Sequence, residues 1–567
     1  MLFPLKQKPC QYKRTPDRRV PVNRLAVIAL AILLASPSYG QLSMLHASGR
    51  SVVNTSGQVV PLRGVNLGGW FIIEKWMSPL TSDSEPDTFT VMQTLDSRFG
   101  VATEQSLINS YQQHWITTPD LDNIRNLGFN LIRVPVWYGQ FYDLNNISNS
   151  GWRADAFNEL DWVVSAAGER GIYTIIDMHG VVGGQSRSDD TGRAGQNLYW
   201  TDSGAQANTS FMWMKIAEHY QGNSNVAGYD LINEPMHAPN TSAVWTAFNN
   251  LYNSVRSADP DHMIIMEGTF GNWNWSMLPP PSQFGWTNVM YEMHSYCWSC
   301  TAAQIEASAD NQVTDFNNHA NYNVPGYVGE FNDFGNGSSV WQHSVNAFNS
   351  AGLSWSPWTY KAAHGLNPDS WGFYNPSFWP PKPNISTDSA STIESDWSQW
   401  ETAASFSLNN TLGITGGMNS TLSTSAWYNI VNQNSGSCVD DAKRGTTNGS
   451  LVQQWACGTE QLNQEWQLQA TDSGYYRVVS RQATSLVWDV TNMSTAPGAK
   501  IQLWTFGGGL NQQWQPQPLG NNSYRLVNRN SGLCLNVPSA STANGVQLNQ
   551  QTCNGTGAQA WRFSQQP

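Results

Sequence analysis

The stretch VAGYDLINEP at 226–235 decides how this chain folds: it is a short apolar run that ends in two polar side chains, Asn233 and Glu234. Three apolar runs precede it, VPLRGVN (60–66), NLIRVPV (130–136) and IYTIIDMHG (172–180). Four follow, MIIMEG (263–268), NVMYEMHSYCW (288–298), GYVGEFN (326–332) and LSWSPWTYK (353–361). Amphipathic patterns lie between several of them. One, ADAFNELDWVVSAAGERG (154–171), has helical spacing and would bury Phe157, Leu160, Val163 and Val164. Eight strand-like runs alternating with helices predict an α/β fold, a (β/α)8 TIM barrel over 42–402.

In a barrel of this kind chemistry sits at the carboxyl ends of the strands. The runs place there Arg133, His179, Asn233 with Glu234, His294 with Tyr296, Glu330, and Trp358. Two glutamates at the tips of the fourth and seventh runs fit glycosidic bond cleavage, in which one carboxyl protonates the leaving oxygen while the other attacks the anomeric carbon. Arg133 alone would read as a barrel salt bridge and His179 as a packed core histidine; beside that pair both are expected to serve the site. Trp76, Trp137, Trp200 and Trp298 are candidates either for subsite walls or for the core. No Cys/His metal spacing and no glycine-rich phosphate loop accompany them, so no metal and no cofactor are expected.

Composition points the same way. The 567 residues carry only 12% charged side chains against 27 Trp, with a formal charge of −12. That balance excludes a phosphate-tracking nucleic-acid binder and suits a protein that handles neutral polymers.

N-E-P at 233–235, Arg133, H-x-Y at 294–296 and G-E-F at 329–331 resemble glycoside hydrolase family 5, over essentially all of 42–402. The resemblance implies a retaining mechanism with Glu234 as acid/base and Glu330 as nucleophile. It implies that Asn233 holds the sugar 2-hydroxyl, that Arg133 and Tyr296 hydrogen-bond Glu330, that His294 orients Glu234 or the sugar, and that Trp358 floors the subsite. The carboxylates should then lie ~5–5.5 Å apart. Their pKa values should be split, Glu234 raised by neighbouring charge and Glu330 kept low by its donors.

RGVNLGGWFIIEKWMSP (63–79) and HGVVGGQSRSDDTG (179–192) resemble the exo-β-1,3-glucanase branch of that family, which implies sugar contacts from Glu74, Gln185 and Asp189. The expected function is a glucan exo-1,3-β-glucosidase-like hydrolase. An endo-β-1,6- or endo-β-1,4-glucanase is the alternative within the family, and a non-catalytic carbohydrate-binding protein the alternative of another class.

The end of the chain repeats itself. QEW (464–466), QQW (512–514) and QAW (559–561) close three segments, each opened by a strand-like stretch such as YNIVNQNSGSCVD (428–440). Cys438 and Cys457 stand 19 apart, as do Cys534 and Cys553, with Val487 and Phe506 at the same two places in the middle repeat. Two disulfides within repeats are therefore expected, and an apolar pair in place of the third. The threefold QxW resembles the ricin-B-type β-trefoil lectins, carbohydrate-binding module family 13, over 426–567. That resemblance implies an all-β domain and sugar sites at Asp440, Trp455 and Asn463, and at Asp489, Trp504 and Asn511. The third lobe, with Asn536 and no matching aromatic, should be weak or silent.

Residues 1–40, a basic leader followed by LAVIALAILLA (25–35) and small residues, read as a secretory signal peptide, too short in its apolar part to span a membrane. Export, extracellular localisation and no membrane association after cleavage are expected. Cys297 and Cys300 form a C-x-x-C that fits a redox pair or half a zinc site; in an exported hydrolase a local disulfide is the expectation. Residues 403–425, rich in Ser, Thr, Asn and Gly, read as a linker. The expected partners are a β-glucan substrate and a carbohydrate at the trefoil, on a monomer.

Overall fold

The computed structural model describes residues 42–81, 85–268, 275–409, 411, 422, 424, 426–459, 461–471, 475–520 and 523–566. The expected signal peptide at 1–40 lies outside the described residues.

Each of the eight runs supplies one strand: β1 (Gly64–Asn66), β2 (Leu131–Trp137), β3 (Tyr173–Gly180), β4 (Val226–Asp230), β5 (Met263–Glu267), β6 (Val289–Ser295), β7 (Gly326–Phe331) and β8 (Ser354–Trp355). They pair in parallel in chain order, and a parallel bridge between Arg63 and Trp355 closes the ring. An amino-terminal hairpin, Leu45–Ser48 with Ser51–Asn54, packs Leu45 and Val52 against Leu131, Ile175 and Met263 near the strand starts. The carboxyl ends stay open for the site.

The outer helices follow from their apolar stripes. Thr241–Ala258 buries Val244, Phe248, Leu251 and Val255 at spacings of three and four, and the Asn240 side chain accepts from the Ala243 amide at 3.0 Å to cap it. Asn158–Gly168 buries Leu160, Val163 and Val164 as expected, while Phe157 is half-buried just before it.

The barrel domain runs past residue 402. A short helix, Thr402–Ser405, leads into a strand, Phe406–Leu408, that pairs antiparallel with Tyr374–Pro376. The Ser-rich composition hid Phe406, whose buried ring anchors this strand beside the Lys361 ammonium at 4.4 Å. Most of 410–425 lies outside the described residues.

The C-terminal domain is all-β, its first strand (Trp427–Asn432) pairing with its last (Trp561–Gln566). The three QxW tryptophans, Trp466, Trp514 and Trp561, are fully buried with Trp488. Those of lobes one and three spend their indole N–H groups on equivalent carbonyls, Val439 and Leu535. All three disulfides are formed, Cys438–Cys457, Cys534–Cys553 and Cys297–Cys300. In the middle lobe Val487 is buried and Phe506 lies under the Arg477 guanidinium.

Candidate active site

The charged layer of the barrel is built by strand register. Asn66 pairs beside Arg133, Asp177 beside Asp230, Glu267 beside Glu292, and His294 beside Glu330. Alternation along each strand then points Asp177 with His179, and Glu292 with His294, into the barrel.

Arg133 is the hub of this layer and is fully buried. Its guanidinium donates to Glu330 Oε1 at 2.9 Å, Asp230 Oδ2 at 2.8 Å, Asn233 Oδ1 at 2.8 Å and Asn66 Oδ1 at 3.1 Å, and it lies 3.1 Å from Asp177 and 3.4 Å from Glu292. Five donors in a planar fork allow this; an ammonium would not reach so many partners. Burial raises the carboxyls around it, Asp177 to about 7 and Glu292 well above the usual range, while the arginine pulls them back down. Gly329 of the G-E-F motif is required here. A Cβ on it would stand 1.4 Å from Glu292 Oε1.

Glu330 is held from two sides. Besides Arg133 it accepts from the Tyr296 hydroxyl at 2.8 Å. Glu234 sits across from it, its Oε1 2.8 Å from His294 Nδ1, and the same nitrogen lies 3.6 Å from Glu330 Oε2. Those two oxygens therefore stand no farther apart than the sum, about 6.4 Å. Burial raises the Glu234 pKa, while the Arg133 guanidinium opposes the rise. The expectation that neighbouring charge would raise it is corrected: desolvation leads. Burial also lowers His294 to about 3 and His179 to about 4, so both imidazoles are neutral across the ordinary working range.

An open cleft of about 1160 Å³ exposes this pair, lined by Glu74, Trp76, His179, Asp189, Asp190, Asn233, Glu234, Tyr296, Trp298, Glu330, Trp358, His364 and Trp371 among others. The Asn233 amide oxygen accepts from Arg133, and its Nδ2 lies 3.4 Å from His179 Nε2. Trp358 stacks on His179 with ring centroids 5.4 Å apart, and His179 is fixed from behind by Asp177 at 2.6 Å. Glu74 accepts from the Trp76 indole at 2.8 Å, and burial pushes its carboxyl up to about 8.

Gln185 departs from its expected role. Its amide donates to the His179 and Asn233 carbonyls at 2.7 and 2.8 Å and accepts from Val181 N–H, so it braces the loop rather than facing sugar. Beside the expected Asp189, its neighbour Asp190 also lines the cleft, with a pKa raised well above the carboxylate range by burial. Trp76 and Trp298 line the cleft, whereas Trp137 belongs to the core and Trp200 lines a separate groove. Asp177, Asp230, Glu267 and Glu292 were missed by sequence reasoning, although Asp177, Glu267 and Glu292 each stand as a lone acid in an otherwise apolar run and Asp230 shares its run with Glu234. Among the described residues, Glu234, Glu267 and His294 place three ligand-type atoms within 4.8 Å of one another.

Residues 95–364 match the model of the cellulase family, glycosyl hydrolase family 5. The chain carries a family 5 glycosyl hydrolase barrel. Residues 414–504 and 510–567 match the ricin-type beta-trefoil lectin domain-like model, so a lectin domain follows it. The chain is 28% identical over 263 residues to "Beta-xylosidase" of Phanerodontia chrysosporium, covering 45% of this chain and 52% of that protein. It is 27% identical over 219 residues to "Probable glucan 1,3-beta-glucosidase A" of Aspergillus fumigatus, covering 38% and 52%. The chain thus spans about half the length of these curated relatives. Among solved structures, the designed threefold protein ThreeFoil is 36% identical over 24% of this chain and 96% of its own, with a TM-score of 0.24.

Outside the family 5 barrel, the two expected sugar sites of the lectin domain have one construction. Asp440 accepts from Gln453, Asn463 and Gln464 at 2.8, 2.8 and 3.0 Å, and Asp489 accepts from Gln502 and Asn511 at 3.0 and 2.8 Å. Trp455 and Trp504 remain 45% and 42% exposed beside them. Asn463 and Asn511 are buried and serve the aspartates. In the third lobe Asn536 and Asn549 bond each other at 2.9 Å.

Proposed function

We propose that this chain is a secreted, monomeric, retaining β-glucan hydrolase of the glucan exo-1,3-β-glucosidase kind, held on its polymer by the lectin domain. The observation that carries the reading is the placement of Glu234 and Glu330 on one His294 nitrogen. An upper bound of about 6.4 Å on that oxygen pair supports retention, because inversion needs ~6.5–9.5 Å to admit a water. The names of the Aspergillus relatives and the branch motif at 63–79 support β-1,3-linked glucose as substrate, and the export signal and three disulfides support secretion.

In this mechanism a Glu330 oxygen attacks the anomeric carbon while protonated Glu234 gives its proton to the leaving oxygen. The glycosyl–Glu330 ester is then opened by a water whose proton passes to Glu234, which restores both groups. Arg133 and Tyr296 hold and aim Glu330, and Asn233 Nδ2 meets the 2-hydroxyl. Glu74, protonated below about 8, donates to a sugar hydroxyl near the cleft wall.

Laminarin hydrolysis with product analysis tests the reading. Glucose as sole early product is expected; longer oligosaccharides would shift the reading to an endo-glucanase, and no sugar from any β-glucan would leave only a carbohydrate-binding protein. Two further outcomes follow. The alkaline limb of kcat/KM reports Glu234, which must be protonated to act, so activity falls as pH rises through its raised pKa and Glu234→Gln abolishes that limb. Replacing both Trp455 and Trp504 by alanine should weaken retention on polysaccharide by roughly 10-fold or more, from loss of ring stacking, while hydrolysis of short substrates is unchanged. Undiminished retention would return those rings to a structural role.

A further inference from the structure

We propose that Glu267, at the tip of β5, is a positioning residue that aims the proton-donating carboxyl of Glu234. The inference deepens the reading above and rests on its assignment of Glu234.

Glu234 adopts φ of 39°, the left-handed region, which a side chain other than glycine enters only when surrounding contacts offset the strain. One contact fixes its amide: the Glu234 N–H donates to Glu267 Oε2. Glu267 is fully buried, and its other oxygen lies 3.5 Å from His294 Nδ1, the atom that also sits 2.8 Å from Glu234 Oε1. One carboxylate thus touches both the main chain that turns Glu234 into the cleft and the imidazole that its side chain meets. Neighbouring pairing in the sheet anchors Glu267 beside Glu292, so its own place is set by β5 and β6 rather than by a loop. Glu330 has separate supports in Arg133 and Tyr296. Loss of Glu267 should therefore harm proton donation and spare nucleophilic attack.

Leaving-group dependence separates these steps. 2,4-Dinitrophenolate departs without a proton, whereas an alkyl or sugar alkoxide needs one. For Glu267→Ala, kcat/KM on laminaribiose should fall roughly 10- to 100-fold, a part of the 10²–10⁴ that a general acid contributes. On 2,4-dinitrophenyl β-glucoside it should fall less than about 3-fold. Glu267→Gln keeps an oxygen that can accept the Glu234 N–H and should recover most of the loss. Glu267→Met, of similar volume and without an acceptor, should behave like alanine and replaces it if the smaller residue does not fold. Equal losses on the two substrates, no loss, or a glutamine variant no better than methionine would overturn this inference alone. A wild-type chain inactive on both substrates would overturn the hydrolase reading, and this inference with it.

Discussion

Glu330→Ala should lower kcat/KM on laminarin by roughly 10⁴-fold or more, since under the proposed mechanism it removes the nucleophile and leaves only binding and the remaining polar groups to act. The protein should stay folded, because Arg133 keeps Asp177, Asp230 and Glu292 as partners. Added azide distinguishes the roles of the two carboxylates. In Glu330→Ala, azide enters from the vacated face and gives the α-glucosyl azide from an activated substrate. In Glu234→Ala the covalent step still occurs with a good leaving group, and azide then opens the ester to give the β-glucosyl azide. Exchange of those products would reverse the two assignments. Chromatographic separation with NMR of the azides provides the check.

Arg133→Met carries the second large effect, on stability as well as rate. The guanidinium neutralises a buried layer in which burial alone would raise every carboxyl, and methionine fills its stem without its charge. Breaking a buried ion network by removing one partner costs about 3–5 kcal/mol. The unfolding free energy of the barrel measured in urea should fall by that amount, and activity should vanish together with the hold on Glu330 and Asn233. Arg133→Lys should recover little, because a single ammonium cannot span Asn66, Asp230, Asn233 and Glu330. A stable, active lysine variant would show that charge alone, rather than the fork, organises the site.

Much of this was legible from residue patterns. Eight apolar runs became eight strands, and of the residues at their ends His179, Asn233, Glu234, Tyr296, Glu330 and Trp358 line one cleft while Arg133 and His294 lie fully buried. The QxW repeat likewise located three buried tryptophans, and the matched 19-residue cysteine spacings two disulfides. What escaped the sequence is what depends on register between strands. Glu267 and Glu292 look like solvated acids until pairing places them side by side under His294. Gln185 has the right type and position for a sugar contact, yet its amide is consumed by the His179 and Asn233 carbonyls. Phe406 is one aromatic in a Ser-rich stretch, and its place is set by the partner strand at 374–376 together with Trp115, Trp400 and Lys361, which are distant in sequence or unmarked by any pattern.

The stereochemistry of the first product tests the central claim most directly. Proton NMR during hydrolysis of laminaribiose or an aryl β-glucoside distinguishes the anomers before they equilibrate. Two displacements at one carbon, by Glu330 and then by water, predict that β-glucose forms first and that the α signal grows only with mutarotation. α-Glucose as the first-formed product would mean a single displacement by water, and would contradict the assignment of Glu330 as nucleophile.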